Sequence, residues 1–145
     1  MTSATVQQSA LPGRTVVSRI RALIVFTLGA AVVYGLLTSA GSATCVADSC
    51  ISLTLRPNPL VFVALVAIVV IALSVALRRA TTEEGAVRYL TRAAVVVAAV
   101  AIASIVISQV WFALIPVAEW DGVTANYLFP FPFGSVDADF APSAP

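Results

Sequence analysis

The chain has 145 residues, 60% of them hydrophobic and only 10% charged, with a net charge of +1. A soluble domain carries about a quarter of its residues charged, and a nucleic-acid-binding one shows a basic face; neither pattern is present, so no nucleic-acid partner is expected. Histidine is absent and Met1 is the one methionine, which argues against haem, copper or catalytic zinc sites, and no cofactor is assigned.

Three runs carry no Asp, Glu, Lys or Arg: Ala22 to Ala47, Pro57 to Leu77 and Ala93 to Ala118. A helix rises about 1.5 Å per residue, so roughly 20 apolar residues cross a hydrocarbon core about 30 Å thick. All three runs clear that length. The expected fold is an all-α membrane protein with three transmembrane helices. A short outer loop closed by a disulfide and an extended aromatic and proline-rich C-terminal tail complete it. Proton and ion pathways usually mark themselves with ionisable groups at membrane depth, and these runs have none.

All eight basic residues are arginine, which together with the Ala/Val-rich runs suggests a GC-rich bacterial source. Arg14, Arg19 and Arg21 precede the first run, and Arg78, Arg79, Arg88 and Arg92 separate the second from the third. Only Arg56 lies between the first two runs, and no arginine follows the third. Positive charge collects on the cytoplasmic side, so the N-terminus is expected inside and the C-terminus outside a bacterial plasma membrane.

Residues 1–14, with the breaker Pro12-Gly13, read as a disordered cytoplasmic tail. Residues 15–39 read as the first transmembrane helix. A cleaved leader is the rival, since Ser39 to Ala43 are small. The apolar stretch from Ala22 to Leu37 is long for a leader, however, and the helix is read as retained. Thr27, Ala31, Gly35 and Ser39 recur every four residues, forming a ridge small enough for close helix packing. The competing explanation is that such residues are simply common in membrane helices.

Residues 40–58 form the expected extracytoplasmic loop. It holds the two cysteines, Cys45 and Cys50, and an oxidising compartment favours a disulfide over free thiols. Ile51, Leu53 and Leu55 alternate with Ser52, Thr54 and Arg56, the pattern of a half-buried extended segment. Pro57-Asn58-Pro59 stops it and starts the second transmembrane helix, residues 59–78, where Ala72 and Ala76 offer a small face.

Residues 79–92 are the cytoplasmic connection and the start of the third helix. Thr81 stands three residues before Glu84, as in a capping box, and Glu84 with Arg88 forms an i,i+4 pair. Arg78 and Arg79 suit anionic lipid contact or plain topology better than nucleotide binding. Residues 93–117 form the third transmembrane helix, with Ser104, Ser108 and Gln109 at depth. A glutamine in lipid needs a partner, so Gln109 marks a helix-packing contact within this chain or with another subunit, unless interfacial water reaches it. Trp111 and Trp120 bracket the outer boundary as aromatic anchors.

The extracytoplasmic tail, residues 118–145, places Tyr127, Phe129, Phe131 and Phe133 on alternate positions with prolines between. An extended path would project these rings to one side, against the lipid interface, the outer loop or a docked partner. The last residues, from Ser135, read as acidic, small and flexible. Glu119 and Asp121 form the one carboxylate pair near the boundary, and nothing beside them supplies an activated nucleophile, so no catalytic residue and no metal ligand are assigned.

These readings point to a small non-catalytic integral membrane protein serving as an accessory, scaffolding or assembly subunit of a larger bacterial membrane complex. Its partners would be the lipid bilayer and other membrane subunits or itself. A self-associating small transporter or channel, lined by Ser104, Ser108 and Gln109, is the alternative.

Overall fold

The structure is a computed structural model that describes residues 13–46, 49–80, 82–119 and 132–142. Its elements in order are α1 (Arg14–Leu37), β1 (Ala40–Val46), β2 (Ser49–Pro57), α2 (Pro59–Arg79), α3 (Glu83–Ala113), a 3-10 turn (Val117–Glu119) and β3 (Gly134–Pro142).

Each helix begins where local chemistry can satisfy its free amides. Gly13 takes a left-handed backbone (φ 90°) ahead of α1, and its carbonyl accepts from Val17 N at 3.0 Å. A side chain at that φ would be strained, which is the reason for glycine there. Asn58 caps α2, its Oδ1 accepting from Leu60 N at 2.9 Å, with Pro59 in the first turn where its missing N–H costs nothing. Arg78 and Arg79 fall in the last turn of α2, where cations meet the negative end of the helix dipole.

The cap of α3 lies one residue later than the sequence suggested. Thr82 Oγ1 accepts from Gly85 N at 3.2 Å, whereas Thr81 is outside the described residues. Arg88 and Glu84 pair at 3.1 Å across one helical turn. At the far end, Pro116 disfavours helical geometry at Ile115, and α3 gives way to the 3-10 turn.

The helices form one layered bundle in which α3 packs on both α1 and α2, which touch each other less. Seven buried residues of α3, from Ala86 through Leu90, Ala93 and Val97 to Ser108, fall about one per turn. That spacing keeps one narrow stripe facing inward along the whole helix. Most other large side chains on the three helices point outward, including Val25, Leu28, Val63 and Leu77. By length and composition all three helices can cross a membrane.

The expectation of an all-α protein is overturned. The segments flanking α1, α2 and α3 at one end build a three-stranded antiparallel sheet in the order β1-β2-β3, with strands of 7, 9 and 9 residues. The alternation seen in residues 51–56 is that of the central strand: Ile51, Leu53 and Leu55 are fully buried beneath it. A strand buried on one face must still pair its own backbone N–H and C=O groups, and a lone extended loop offers no partners. Residues 40–46 on one side and 134–142 on the other supply them. The last part of the tail, read as flexible, is therefore strand β3.

Paired residues share a face, so Ala40, Ser42 and Thr44 of β1 and Val136, Ala138 and Phe140 of β3 lie on the inner side with Ile51, Leu53 and Leu55. Phe112, Ile115, Val117 and Val136 pack against Ile51 and Leu53, joining the sheet to the end of α3. The opposite face carries Ser52, Thr54, Arg56, Ser135, Asp137 and Asp139. There Arg56 and Asp137 meet at 3.0 Å, an exposed pair of modest energetic value.

Candidate functional site: the sheet cap and the polar knot beneath it

Polar groups at depth in an apolar bundle need internal partners, so they reveal which elements are meant to be held together. Tyr34 is the centre of that arrangement. Its ring is fully buried and meets Phe62 of α2 edge to face, with centroids 5.2 Å apart. Its hydroxyl accepts from Asn58 N at 2.9 Å and donates to the carbonyl of Phe133 at 2.8 Å. The hydroxyl has one proton, and Asn58 O at 3.5 Å is the poorer acceptor. One phenol thus joins α1, the start of α2 and the residue immediately before β3.

Ser108 of α3 donates to the same Phe133 carbonyl at 3.0 Å. Thr38, buried just past α1, returns its hydroxyl to Tyr34 O at 2.6 Å. Gln109 of α3 donates its side-chain amide to the carbonyl of Leu37, the last residue of α1. The four final carbonyls of a helix lack intrahelical partners, so this bond satisfies an acceptor as well as tying two helices together. Among the described residues every buried side-chain nitrogen or oxygen has a hydrogen-bond partner.

Above this knot, Cys45 and Cys50 stand directly opposite each other on β1 and β2 and are joined by a disulfide, with Cα atoms 4.0 Å apart. The bridge staples the outer end of the hairpin. The result is a covalently closed sheet resting on the ends of three helices, with a polar face turned away from the bundle.

The residues expected to matter are distributed as follows. Of the small ridge on α1, Thr27 is buried and donates to Leu23 O at 2.8 Å, and Ala31 packs against the helical core. A Cβ on Gly35 would stand 3.7 Å from Phe62, so this part of the ridge faces α2. Ser39 is exposed and donates to Gly35 O. Ser104 is buried and bonds within its own helix to Val100 O at 2.7 Å. The hydrogen bonds that tie α1 to the polar groups of α3 run from Gln109 to Leu37 O and from Tyr34 and Ser108 to the shared Phe133 carbonyl, not through the ridge itself.

Of the aromatic tail, Phe133 takes part through its backbone carbonyl. Tyr127, Phe129 and Phe131 lie outside the described residues, as do Trp120 and Asp121, and Glu119 is exposed in the 3-10 turn. Among the described residues no group of three His, Cys, Asp or Glu side chains is placed to hold a metal ion.

Sequence reasoning missed Tyr34 and β3. A tyrosine inside an apolar run was the available signal for the first, because a buried phenol must find a partner. Val136, Ala138 and Phe140 alternating with Asp137 and Asp139 was the signal for the second. Comparison of the chain with protein-family models, with curated proteins and with solved structures finds no match.

Proposed function

We propose that this chain is a non-catalytic multi-pass protein of a bacterial plasma membrane, an accessory or assembly subunit of a larger membrane complex that presents its sheet as a rigid outer platform. The observation that carries the reading is the Tyr34–Ser108–Phe133 junction beneath a disulfide-closed sheet. It commits the polar groups at depth to holding a shaped surface in place over the helix ends. The arginine asymmetry supports an N-terminus in the cytoplasm and the sheet and C-terminus outside, where a disulfide persists. The outward apolar side chains of the three helices suit contact with lipid or with the helices of another subunit.

A self-associating channel needs free polar side chains along a path. Ser104, Ser108 and Gln109, the groups that would line it, each bond to backbone of their own chain. That favours the platform reading.

The test is purification of the full chain from native membranes in mild detergent, beside a Ser52→Arg/Asp139→Arg variant of the outer sheet face. A stoichiometric membrane partner is expected with the parent and not with the variant. A chain that stays alone under in-membrane crosslinking, or a partner indifferent to the sheet face, overturns the proposal.

A further inference from the structure

At the opposite end of the bundle from the sheet, a groove of about 310 Å³ runs between the first halves of α1 and α3. Two bonds fix these helices side by side in the same direction: Glu83 carboxylate to Gly13 N at one end, and Gln109 to Leu37 O at the other. The volume is at the lower end of the range of about 300–1,000 Å³ typical of ligand clefts. Its floor is Leu23 and Leu90, both buried, and its apolar walls are Phe26 and Ala94.

Arg19 stands at the mouth. There the groove continues into a second, polar depression lined by Arg14, Thr15 and Ser18, with Arg19 and Ala22 common to both. Neither Arg14 nor Arg19 is paired with a carboxylate among the described residues. From Arg19 to Phe26 is two helical turns, roughly 10 Å along the axis. The cleft is therefore cationic at the end of the bundle and apolar further in, and it follows the helix axis.

We propose that this groove binds one anionic phospholipid, its phosphate against Arg19 and Arg14 and the upper part of one acyl chain between Phe26 and Ala94. Charge complementarity selects the headgroup. Continuity with the exposed apolar surface of α1, at Phe26 itself and at Val33 two turns further along the same face, selects a lipid over a free anion, because the groove opens onto that apolar surface. Glu83 is not among the lining residues: it accepts from Gly13 N and lines a separate depression with Leu73 and Ala76 of α2. The proposal rests on the membrane reading above but not on the platform role.

The experiment is titration of detergent-purified full chain with phosphatidylglycerol and with phosphatidylcholine, followed by native mass spectrometry. Phosphatidylglycerol is expected to bind at least fivefold more tightly, and Arg19→Gln to remove roughly that factor, the scale of one arginine at an anionic surface. Ala22→Leu, an exposed apolar change that fills the groove, is expected to weaken both lipids. Arg21→Gln, at the same end but lining neither depression, is expected to leave both unchanged.

Equal binding of the two lipids overturns the site. So does an equal effect of Arg19→Gln and Arg21→Gln, which reports diffuse surface charge, or competition by inorganic phosphate as effective as by the lipid, which reports a free-anion site. Indifference to Ala22→Leu removes the acyl groove. A chain that an alkaline wash strips from reconstituted vesicles strikes the membrane reading itself. A chain that stays inserted without lipid preference strikes only this inference.

Discussion

The hydroxyls of Tyr34 and Ser108, on two different helices, converge on one acceptor, the carbonyl oxygen of Phe133, at 2.8 and 3.0 Å. The two donors use both lone pairs of that oxygen, and so neither residue alone determines whether it is satisfied. Phe133 is thereby fixed immediately before β3, and with it the start of the strand that completes the sheet.

This convergence makes the two residues energetically coupled. Tyr34→Phe leaves Asn58 N without its acceptor and is expected to cost about 1–3 kcal/mol, the penalty of an unmade buried bond. Ser108→Ala alone should cost about 0.5–1.5 kcal/mol, because Tyr34 still serves the carbonyl. The double variant strips Phe133 O of both donors and should lose more than the sum of the two. Chemical unfolding in a fixed detergent measures it, and additivity within about 0.5 kcal/mol would contradict the shared acceptor.

The period-two burial of β2 gives a paired test. Leu53, fully buried over Phe112 and Ile115, should cost about 2–5 kcal/mol when changed to alanine. Ser52 on the outer face of the same strand should shift stability by no more than about 0.5 kcal/mol when changed to alanine. Similar losses at the two positions would mean that the strand is not seated on the bundle as described.

The disulfide is expected to act locally. Alkylation of the denatured chain should add no label without reductant and two labels after it. Joint replacement of Cys45 and Cys50 by serine should lower stability by about 2 kcal/mol, as expected for so short a closed loop. Hydrogen exchange should show the loss concentrated in β1 and β2, with the amides of α2 and α3 protected as before. Uniform loss of protection would show that the bridge supports the helices as well.

Gln109→Leu removes the donor to Leu37 O and should cost about 0.5–1.5 kcal/mol, with the end of α1 exchanging faster. In proteoliposomes the same change should leave solute flux at background, as in the parent. Flux that appears in the parent and vanishes in this variant would revive the channel alternative.

Orientation is open to direct measurement. With both native cysteines replaced by serine, Thr54→Cys on the sheet should react with an impermeant thiol reagent applied to intact cells. Thr82→Cys at the start of α3 should react only after permeabilisation. The reverse pattern would invert the assignment made from the arginines.

Composition alone determined the three long apolar helices, because hydrophobic length and the absence of charge are properties of consecutive residues. The Glu84–Arg88 pair and the Cys45–Cys50 bridge were legible for the same reason: each joins residues a few positions apart. The alternation of Ile51, Leu53 and Leu55 announced one strand but not its neighbours. Its partner Gly134–Pro142 lies far along the chain, and no local pattern states which segments will meet. Tertiary structure decided that pairing, and with it the role of Tyr34, whose partners at Asn58 and Phe133 are 24 and 99 positions away. It also decided where the arginines at the start of α1 stand relative to α3, and so where a cationic rim meets an apolar groove. A buried polar group needs a partner, but which one it finds is settled only when the helices and the sheet pack together.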